Sequence, residues 1–202
     1  MLEILDIARP GLLEPVRLSL PPGECGVIMG ASGSGKSLLA RAIADLDPNE
    51  GDARWKGASR NAMPAYEWRG LVGYVPAEPG WWAERVGDHF PHPGEMDALL
   101  AAVGLPEDAM HWLVARASSG ERQRLALIRA LAHAPEALIL DEPTSALDEA
   151  ARARVEALLK RLLKEGLALL LITHDAAQAA RLGRRFWRME RGRLTPTERP
   201  GT

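Results

Sequence analysis

The sequence predicts an α/β fold in which helices cover both faces of a parallel sheet. Two observations carry this prediction. Short, continuous apolar runs at residues 25–29 and 167–172 are typical of strands that are buried on both faces. Amphipathic helical patterns alternate with these runs, which is the order expected of βα units. Because the chain has 202 residues, we expect one domain.

The predicted elements are separated by turn signals. Residues 16–20 alternate apolar and polar side chains, which predicts a strand with one buried face. Residues 55–69 are weakly patterned and are interpreted as a surface region. In chain order, the sequence predicts strands at 2–7, 16–20, 25–29, 71–75, 137–140, 167–172, 186–189 and 193–194, and helices after residue 37, near 96–103, at 120–133, near 155–162 and at 175–182.

One segment interrupts the alternation of strands and helices. Residues 76–117 are proline-rich at first and then helical, with apolar side chains at i, i+3, i+4 and i+7 from Met96 and a glycine stop at Gly104. We interpret this segment as part of an inserted helical subdomain. The predicted division is a single domain, 1–202, with an α/β core at 1–77 and 134–202 and a helical subdomain at 78–133.

The composition excludes some classes of function. The formal net charge of −2 gives no electrostatic basis for binding nucleic acid. The single cysteine, Cys25, excludes an intrachain disulfide and indicates a reducing compartment. The first ten residues do not resemble a signal peptide, and the longest apolar runs are too short to span a membrane. If the protein serves a membrane, the membrane-spanning part is therefore expected on a partner chain.

A glycine-rich loop separates the strand at 25–29 from the next helix. Residues 30–37 read Gly-Ala-Ser-Gly-Ser-Gly-Lys-Ser and match G-x-x-x-x-G-K-[ST]. Backbone amides of such a loop cradle phosphates, the Lys36 ammonium adds charge, and the Ser37 hydroxyl binds Mg²⁺. The sequence therefore predicts a nucleotide phosphate site formed by Gly30, Ala31, Ser32, Gly33, Ser34, Gly35, Lys36 and Ser37.

Two acids, Asp141 and Glu142, follow the apolar strand at 137–140. The carboxyl ends of parallel strands face the ligand crevice of an open α/β sheet. Asp141 is therefore predicted to hold Mg²⁺, and Glu142 is predicted to orient or deprotonate the attacking water. The alternative is a helix-capping acid followed by a solvated glutamate.

Four further motifs accompany the phosphate loop. Residues 118–124 read Ser-Ser-Gly-Glu-Arg-Gln-Arg, residues 145–148 Ser-Ala-Leu-Asp, residues 171–175 Leu-Ile-Thr-His-Asp, and residues 73–76 Gly-Tyr-Val-Pro. With these motifs the chain resembles the ABC-transporter ATPase family over essentially its whole length: they look like its signature, D-loop, switch-histidine segment and lead-in to the Q-loop. The resemblance implies a P-loop NTPase with a RecA-like core, an N-terminal antiparallel β part and a small inserted helical subdomain.

The resemblance also implies a homodimer with each ATP held between the P-loop of one subunit and the signature of its partner. Ser118 and the amides of Ser119 and Gly120 would then act in trans, since helix amino termini bind anions. His174 would hold the γ-phosphate and the attacking water together with Glu142. Asp148 would communicate between the two sites, and it is also a candidate cap for the following helix.

Three places depart from the family pattern. Ala77 stands where the Q-loop glutamine is expected, and the adjacent Glu78 either coordinates Mg²⁺ in its place or is a solvated loop acid. The signature has Ala117 in place of leucine and Ser119 in place of the first glycine. Arg9 stands near the position of an adenine-stacking aromatic residue, so its guanidinium either stacks on the base or lies on the surface.

The predicted reaction is ATP + H₂O to ADP + phosphate, with Lys36, Glu142 and His174 as catalytic residues. The predicted role is to energise a transporter whose permease is a separate chain, from the cytoplasmic face of the inner membrane. Residues 44–48 and 127–129 are similar to small metal-ion (iron) exporter ATPases. The alternative is a soluble ABC ATPase of the DNA repair, ribosome or Fe–S assembly type. The pair Trp81 and Trp82 either faces the membrane partner or packs within the helical subdomain.

Overall fold

The strands of the computed structural model, which describes residues 1–200, form two sheets. One has four antiparallel strands in the order β2-β1-β4-β5, and the other has six in the order β10-β9-β3-β8-β7-β6. In the six-stranded sheet only the edge pair β9–β10 is antiparallel. The strands are β1 Leu2–Arg9, β2 Leu13–Leu20, β3 Cys25–Met29, β4 Glu50–Trp55, β5 Ala58–Ser59, β6 Val72–Val75, β7 Ala137–Asp141, β8 Ala168–Ile172, β9 Arg185–Glu190 and β10 Arg193–Thr197.

Six α-helices connect these strands in residues 1–200. The sequence predicts the long ones well because their apolar residues recur with a helical period, as in the helix that buries Val155, Leu158 and Leu159. The helices are α1 Lys36–Ile43, α2 Ala65–Leu71, α3 Asp97–Ala102, α4 Ser119–Leu131, α5 Glu149–Lys164 and α6 Ala176–Leu182.

The central strands separate two hydrophobic clusters, one on each face of the parallel sheet. Successive side chains of a strand point to opposite faces, so Val27 belongs to one cluster and Ile28 to the other. All five residues of β7 and all five of β8 are buried, as expected of strands covered on both sides. The first cluster includes apolar residues of α4 and α5, and the second includes residues of α1 and of the antiparallel sheet. The predicted fold class is confirmed in both of its sheets.

The segment between β6 and α4 contains less α-helix than the sequence predicts. Its α-helix is the six-residue α3, and the rest is loop and short 3₁₀ turns such as Glu107–His111. Its buried residues, including Val86, Leu100 and Trp112, join the same hydrophobic cluster as α4 and α5. The division into a core and a subdomain at 78–133 stays a prediction.

The interpretation of residues 55–69 as a surface region is wrong at the three buried positions Trp55, Arg60 and Trp68, while the other residues are exposed or partly exposed. Strand β5, a 3₁₀ turn and most of α2 lie here. Trp68 is completely buried, and its indole Nε1 donates a hydrogen bond to the Ile43 carbonyl oxygen over 2.8 Å. A single buried tryptophan on a short helix gives almost no periodic signal, although it ties α2 to the end of α1.

The two adjacent tryptophans have different environments. Trp81 is partly buried against the first cluster, whereas Trp82 is 73% exposed. The Arg129 guanidinium lies 4.6 and 4.8 Å from the two indole centroids, and the His89 ring contacts both indoles edge-on. Trp81 therefore fits the packing interpretation, and Trp82 leaves an aromatic face exposed. Within residues 1–200, no helix combines the length and the apolar character needed to cross a membrane.

Replacing Trp68 by alanine is expected to lower the free energy of unfolding by about 3–5 kcal/mol, because it leaves a cavity and removes the bond to Ile43. Urea unfolding followed by circular dichroism measures the change. Tyr66 on the same helix is 70% exposed and provides the control, since Tyr66→Ala should change the free energy by less than about 0.5 kcal/mol. Equal effects of the two substitutions would contradict the assignment of Trp68 to the core.

Candidate functional site

The glycine-rich loop lies between β3 and α1, at the carboxyl edge of the parallel sheet. Gly30 approaches β9 so closely that a Cβ atom there would lie 2.2 Å from the Met189 carbonyl oxygen, so no other residue fits this conformation. The Lys36 ammonium donates hydrogen bonds of 2.8 Å to the carbonyl oxygens of Gly30 and Ala31. The lysine charge is thereby held over the loop.

This loop forms one wall of an open cleft of about 710 Å³. The Ser34 hydroxyl is buried and has no hydrogen-bond partner in residues 1–200, so a polar group is available in the loop for a ligand. Such a set of hydroxyls, backbone amides and one lysine suits a phosphate chain. The cleft is lined in part by Gly30, Ser32, Gly33, Ser34, Gly35, Lys36, Ser37, Ala77, Asp141, Glu142 and His174.

Strand β7 delivers two carboxylates to the same cleft. Asp141 is its last residue and is only 3% exposed. Glu142 follows with φ +48°, in the left-handed region that is unfavourable for a residue with a side chain. The Glu142 amide donates to the Ile172 carbonyl oxygen over 2.9 Å, which fixes this turn against β8. The position of Glu142 relative to the end of β7 is therefore fixed.

The carboxylate of Glu142 contacts His174, which follows β8. The Glu142 Oε1 and His174 Nδ1 atoms are 2.9 Å apart. The His174 side chain is 73% exposed and that of Glu142 is 20% exposed, so the pair lies at the open side of the cleft. The structure thus brings together the predicted base and the predicted switch histidine, and the imidazole orients the carboxylate.

A tyrosine that the sequence analysis did not assign to the site supports Asp141 from the neighbouring strand β6. Burial of the Tyr74 side chain, together with the Asp141 carboxylate, raises the pKa of the Tyr74 hydroxyl. The phenol therefore stays protonated and remains a hydrogen-bond donor near neutral pH. Tyr74 could have been found from the predicted sheet, because its strand pairs with β7, which ends at Asp141.

The cleft suits Mg²⁺ bound together with a phosphate ligand. Ser37 and Asp141 both line it and offer oxygen atoms, which Mg²⁺ prefers. Within residues 1–200, no group of three or more histidine, cysteine or acidic side chains could hold a metal ion. A cation at this site would therefore take further ligands from phosphate and water, as Mg²⁺ does in nucleotide sites.

Two predicted residues lie outside the walls of this cleft. Glu78 is exposed, and it is its neighbour Ala77 that lines the cleft. The Arg9 guanidinium donates to Asp47 over 3.3 Å, and Arg41 holds the same carboxylate through two shorter bonds. Metal binding by Glu78 and adenine stacking by Arg9 stay predictions.

The cleft wall near Arg9 is built by residues that the sequence analysis did not select. Leu12, which is 58% exposed, lines it together with the turn between β9 and β10, at Arg191 and Gly192. The Gly192 amide donates to the Ser34 carbonyl oxygen over 2.9 Å, so this turn also supports the phosphate loop.

The predicted signature lies at the amino terminus of α4. The Ser118 hydroxyl accepts from the Glu121 amide over 3.2 Å, and the Glu121 carboxylate accepts from the Ser118 amide over 2.8 Å. Asp148 likewise caps α5 by accepting from the Ala151 amide over 2.8 Å. None of Ser118, Ser119, Gly120 and Asp148 lines the phosphate-loop cleft of its own chain. One chain therefore presents two separate patches of predicted site residues.

The family model described as "ABC transporter" matches residues 13–145. The chain belongs to the ABC transporter family. It is 36% identical, over 93% of its length, to the aliphatic sulfonates import ATP-binding protein SsuB of Cupriavidus necator, and 37% identical, over 91%, to SsuB 2 of Agrobacterium fabrum. It spans 64% of the Cupriavidus protein and 72% of the Agrobacterium protein, so it covers less than two thirds of the former.

Solved structures of ABC ATPases have the same fold. An ATP-binding cassette in a dimeric, post-hydrolysis state with ADP and Pi superposes with a TM-score of 0.82 at 26% identity, covering 98% of this chain and 99% of that one. An ATP-binding subunit of an ABC transporter superposes with a TM-score of 0.87 at 24% identity, covering 98% and 89%. The RecA-like P-loop fold predicted for this ABC family member is confirmed.

Replacing Ser118 by alanine is expected to lower the free energy of unfolding by about 1 kcal/mol, because α4 loses its cap.

The pKa of the Glu121 carboxyl lies below its ordinary value. The largest cause is the hydrogen bond from the Ser118 amide, which outweighs the opposing effect of partial burial. A carboxyl with a lowered pKa stabilises the fold above its unfolded pKa of about 4.3, and this contribution is lost as the pH falls through the folded pKa.

The stability difference between the wild type and Glu121→Gln should therefore be largest near neutral pH and should fade below about pH 4. Urea unfolding across the acid range measures it. A difference that does not change with pH would contradict the capping role of the ionised carboxylate.

Proposed function

We propose that this chain binds MgATP in the cleft between the phosphate loop and the carboxyl ends of β7 and β8, and that it hydrolyses ATP to ADP and phosphate. The observation that carries the proposal is the 2.9 Å contact between Glu142 and His174 beside the phosphate loop. A carboxylate held by an imidazole next to a phosphate cradle is the arrangement needed to activate a water molecule.

In the proposed reaction, Glu142 accepts a proton from water as the water oxygen bonds to the γ-phosphorus. The bond from this phosphorus to the β–γ bridging oxygen breaks, and its electron pair leaves with ADP. Lys36 and the amides of the loop bind the phosphates and stabilise the charge that develops on them. Mg²⁺, when held by Ser37 and Asp141, supplies further neutralisation of that charge. His174 keeps the Glu142 carboxylate oriented toward the water.

The proposed active unit is a homodimer with two shared sites. Ser118, Ser119 and Gly120 lie at the amino terminus of the 13-residue helix α4, where backbone amides and the helix dipole attract anions. They do not line the cleft of their own chain, so a second copy would present them to the γ-phosphate in trans. The dimeric state of the ATP-binding cassette bound to ADP and Pi supports this arrangement.

The proposed role of the dimer is to energise transport through a separate membrane-spanning subunit. The relatives named as import ATP-binding proteins support this role and the import direction. The proposed location is the cytoplasmic face of the cell membrane, where cellular ATP is present. The exposed Trp82 ring, beside a groove that also contains Leu46 and Arg69, offers a contact for such a subunit.

Replacing Glu142 by glutamine is expected to keep MgATP binding and to lower turnover by about 10²–10⁴-fold, because the base is lost while the shape of the side chain is kept. Phosphate release and equilibrium binding of a fluorescent ATP analogue measure the two effects. Glu165→Gln, an exposed acid at the end of α5, is the control and should leave both unchanged. Wild-type turnover in Glu142→Gln would remove Glu142 from the mechanism.

Affinity purification of the tagged chain from detergent-solubilised native membranes is expected to recover a multi-span membrane protein. Mass spectrometry of the co-purifying chains identifies it. The same purification with Trp82→Ala should recover less of this partner if the exposed ring belongs to the contact. Recovery of soluble partners alone, with the tagged chain absent from the membrane fraction, would argue against the transport role.

A further inference from the structure

Gln123, on the second turn of α4, is a buried amide that binds the segment following β7. It is 4% exposed. Its Nε2 donates to the Glu142 carbonyl oxygen over 2.7 Å and to the Ser145 hydroxyl over 3.2 Å. Its Oε1 accepts from the Ala146 amide over 3.2 Å. One side chain thus fixes three points of the loop that carries the proposed base.

This loop needs such support because Glu142 has a left-handed backbone. A non-glycine residue with φ +48° persists only where neighbouring groups hold it. The peptide before Glu142 is held by the Ile172 carbonyl oxygen, over 2.9 Å. The peptide after it is held by Gln123 and by the Ser145 hydroxyl, which donates over 3.1 Å to the same Glu142 carbonyl oxygen. The direction of the Glu142 side chain therefore depends on both sets of bonds.

The first turn of α4 packs against the same loop. A Cβ atom on Gly120 would lie 2.9 Å from the Ala146 carbonyl oxygen, so the two backbones are in close contact. Gln123 and Gly120 are three residues apart and lie on the same face of the helix. The signature end of α4 and the loop after Glu142 are thus joined at two points, and a shift of one moves the other.

We propose that Gln123 is a positioning residue for ATP hydrolysis, which fixes the backbone of Glu142 from the signature helix. In the proposed dimer, the signature serves one ATP while Glu142 of the same chain serves the other. Gln123 therefore couples the two sites: when the signature contacts phosphate at one site, Gln123 affects the orientation of Glu142 at the second site. This inference rests on the proposed function.

The substitution Gln123→Met tests the proposal, because it keeps the volume and flexibility of the side chain and removes all three hydrogen bonds. Turnover of the full chain is expected to fall by about 10–100-fold, as for a misplaced catalytic group. The Kd for MgATP, measured on the same protein, should stay within about threefold, since Gln123 does not line the cleft. A loss confined to kcat is the result that a merely structural role would not give.

Gln178→Met is the matched control. Gln178 is fully buried, and its Nε2 donates over 2.8 Å to the Thr144 hydroxyl, in the same loop, but no hydrogen bond of its side chain reaches Glu142 itself. It should lower the melting temperature and leave kcat within about twofold of the wild type. An equal loss of kcat in both variants would show that destabilising the loop in general is enough to lower turnover, and it would overturn the proposal.

Two further variants complete the test. Ser145→Ala shares the Glu142 carbonyl contact, so its effect on kcat and that of Gln123→Met should combine less than multiplicatively. Gln123→Glu keeps an acceptor for the Ala146 amide and loses the donor to Glu142, so it should lower kcat even where Gln123→Met is too unstable to assay. Turnover within twofold of the wild type in these Gln123 variants would overturn this inference and leave the proposed function standing. Absence of ATP hydrolysis in the wild type overturns the proposed function and this inference with it.

Discussion

The parallel pairing of β3, β8 and β7 is the constraint on which the site depends. These strands are buried on both faces, and their register places the phosphate loop, the two acids and the predicted switch histidine at one edge. Asp141 ends β7, and Glu142 and His174 come within two residues of their strands, so little further chain must be ordered to assemble the cleft. A register shift of one residue would exchange the two hydrophobic clusters and disperse the site.

The strained backbone of Glu142 also determines the geometry of the site, in addition to the register of the sheet. The left-handed backbone conformation of Glu142 costs about 1–3 kcal/mol. The pairing of the strands does not by itself stabilise this conformation. Hydrogen bonds from β8 and from α4 hold this conformation, while the imidazole of His174 holds the carboxylate. The acid is therefore positioned by α4 on one side and by β8 with the loop that follows it on the other. Changes in any of these elements reach the same carboxylate.

The sequence predicts those parts of the fold and site whose signals are local. The apolar run of β3 and the motif at residues 30–37 identify the strand and the loop after it, and the resemblance predicts the pairing of Glu142 with His174. Contacts between residues far apart in the chain leave no such signal. Asp47, which binds Arg9 across 38 positions, and the tie between Trp68 and Ile43 across 25 are of this kind.

The capping box of α4 has a consequence for how an anion would be received there. A serine hydroxyl has one donor and two acceptor positions, and the cap uses one acceptor. The hydroxyl proton interacts with the Glu121 carboxylate, which contributes to the lowered Glu121 pKa. The same carboxylate accepts from the Ser118 amide, so cap and carboxylate hold each other in place. The amino terminus of α4 is thus preorganised. Its orientation is fixed before an anion arrives, so binding there would require no melting or refolding of the helix end.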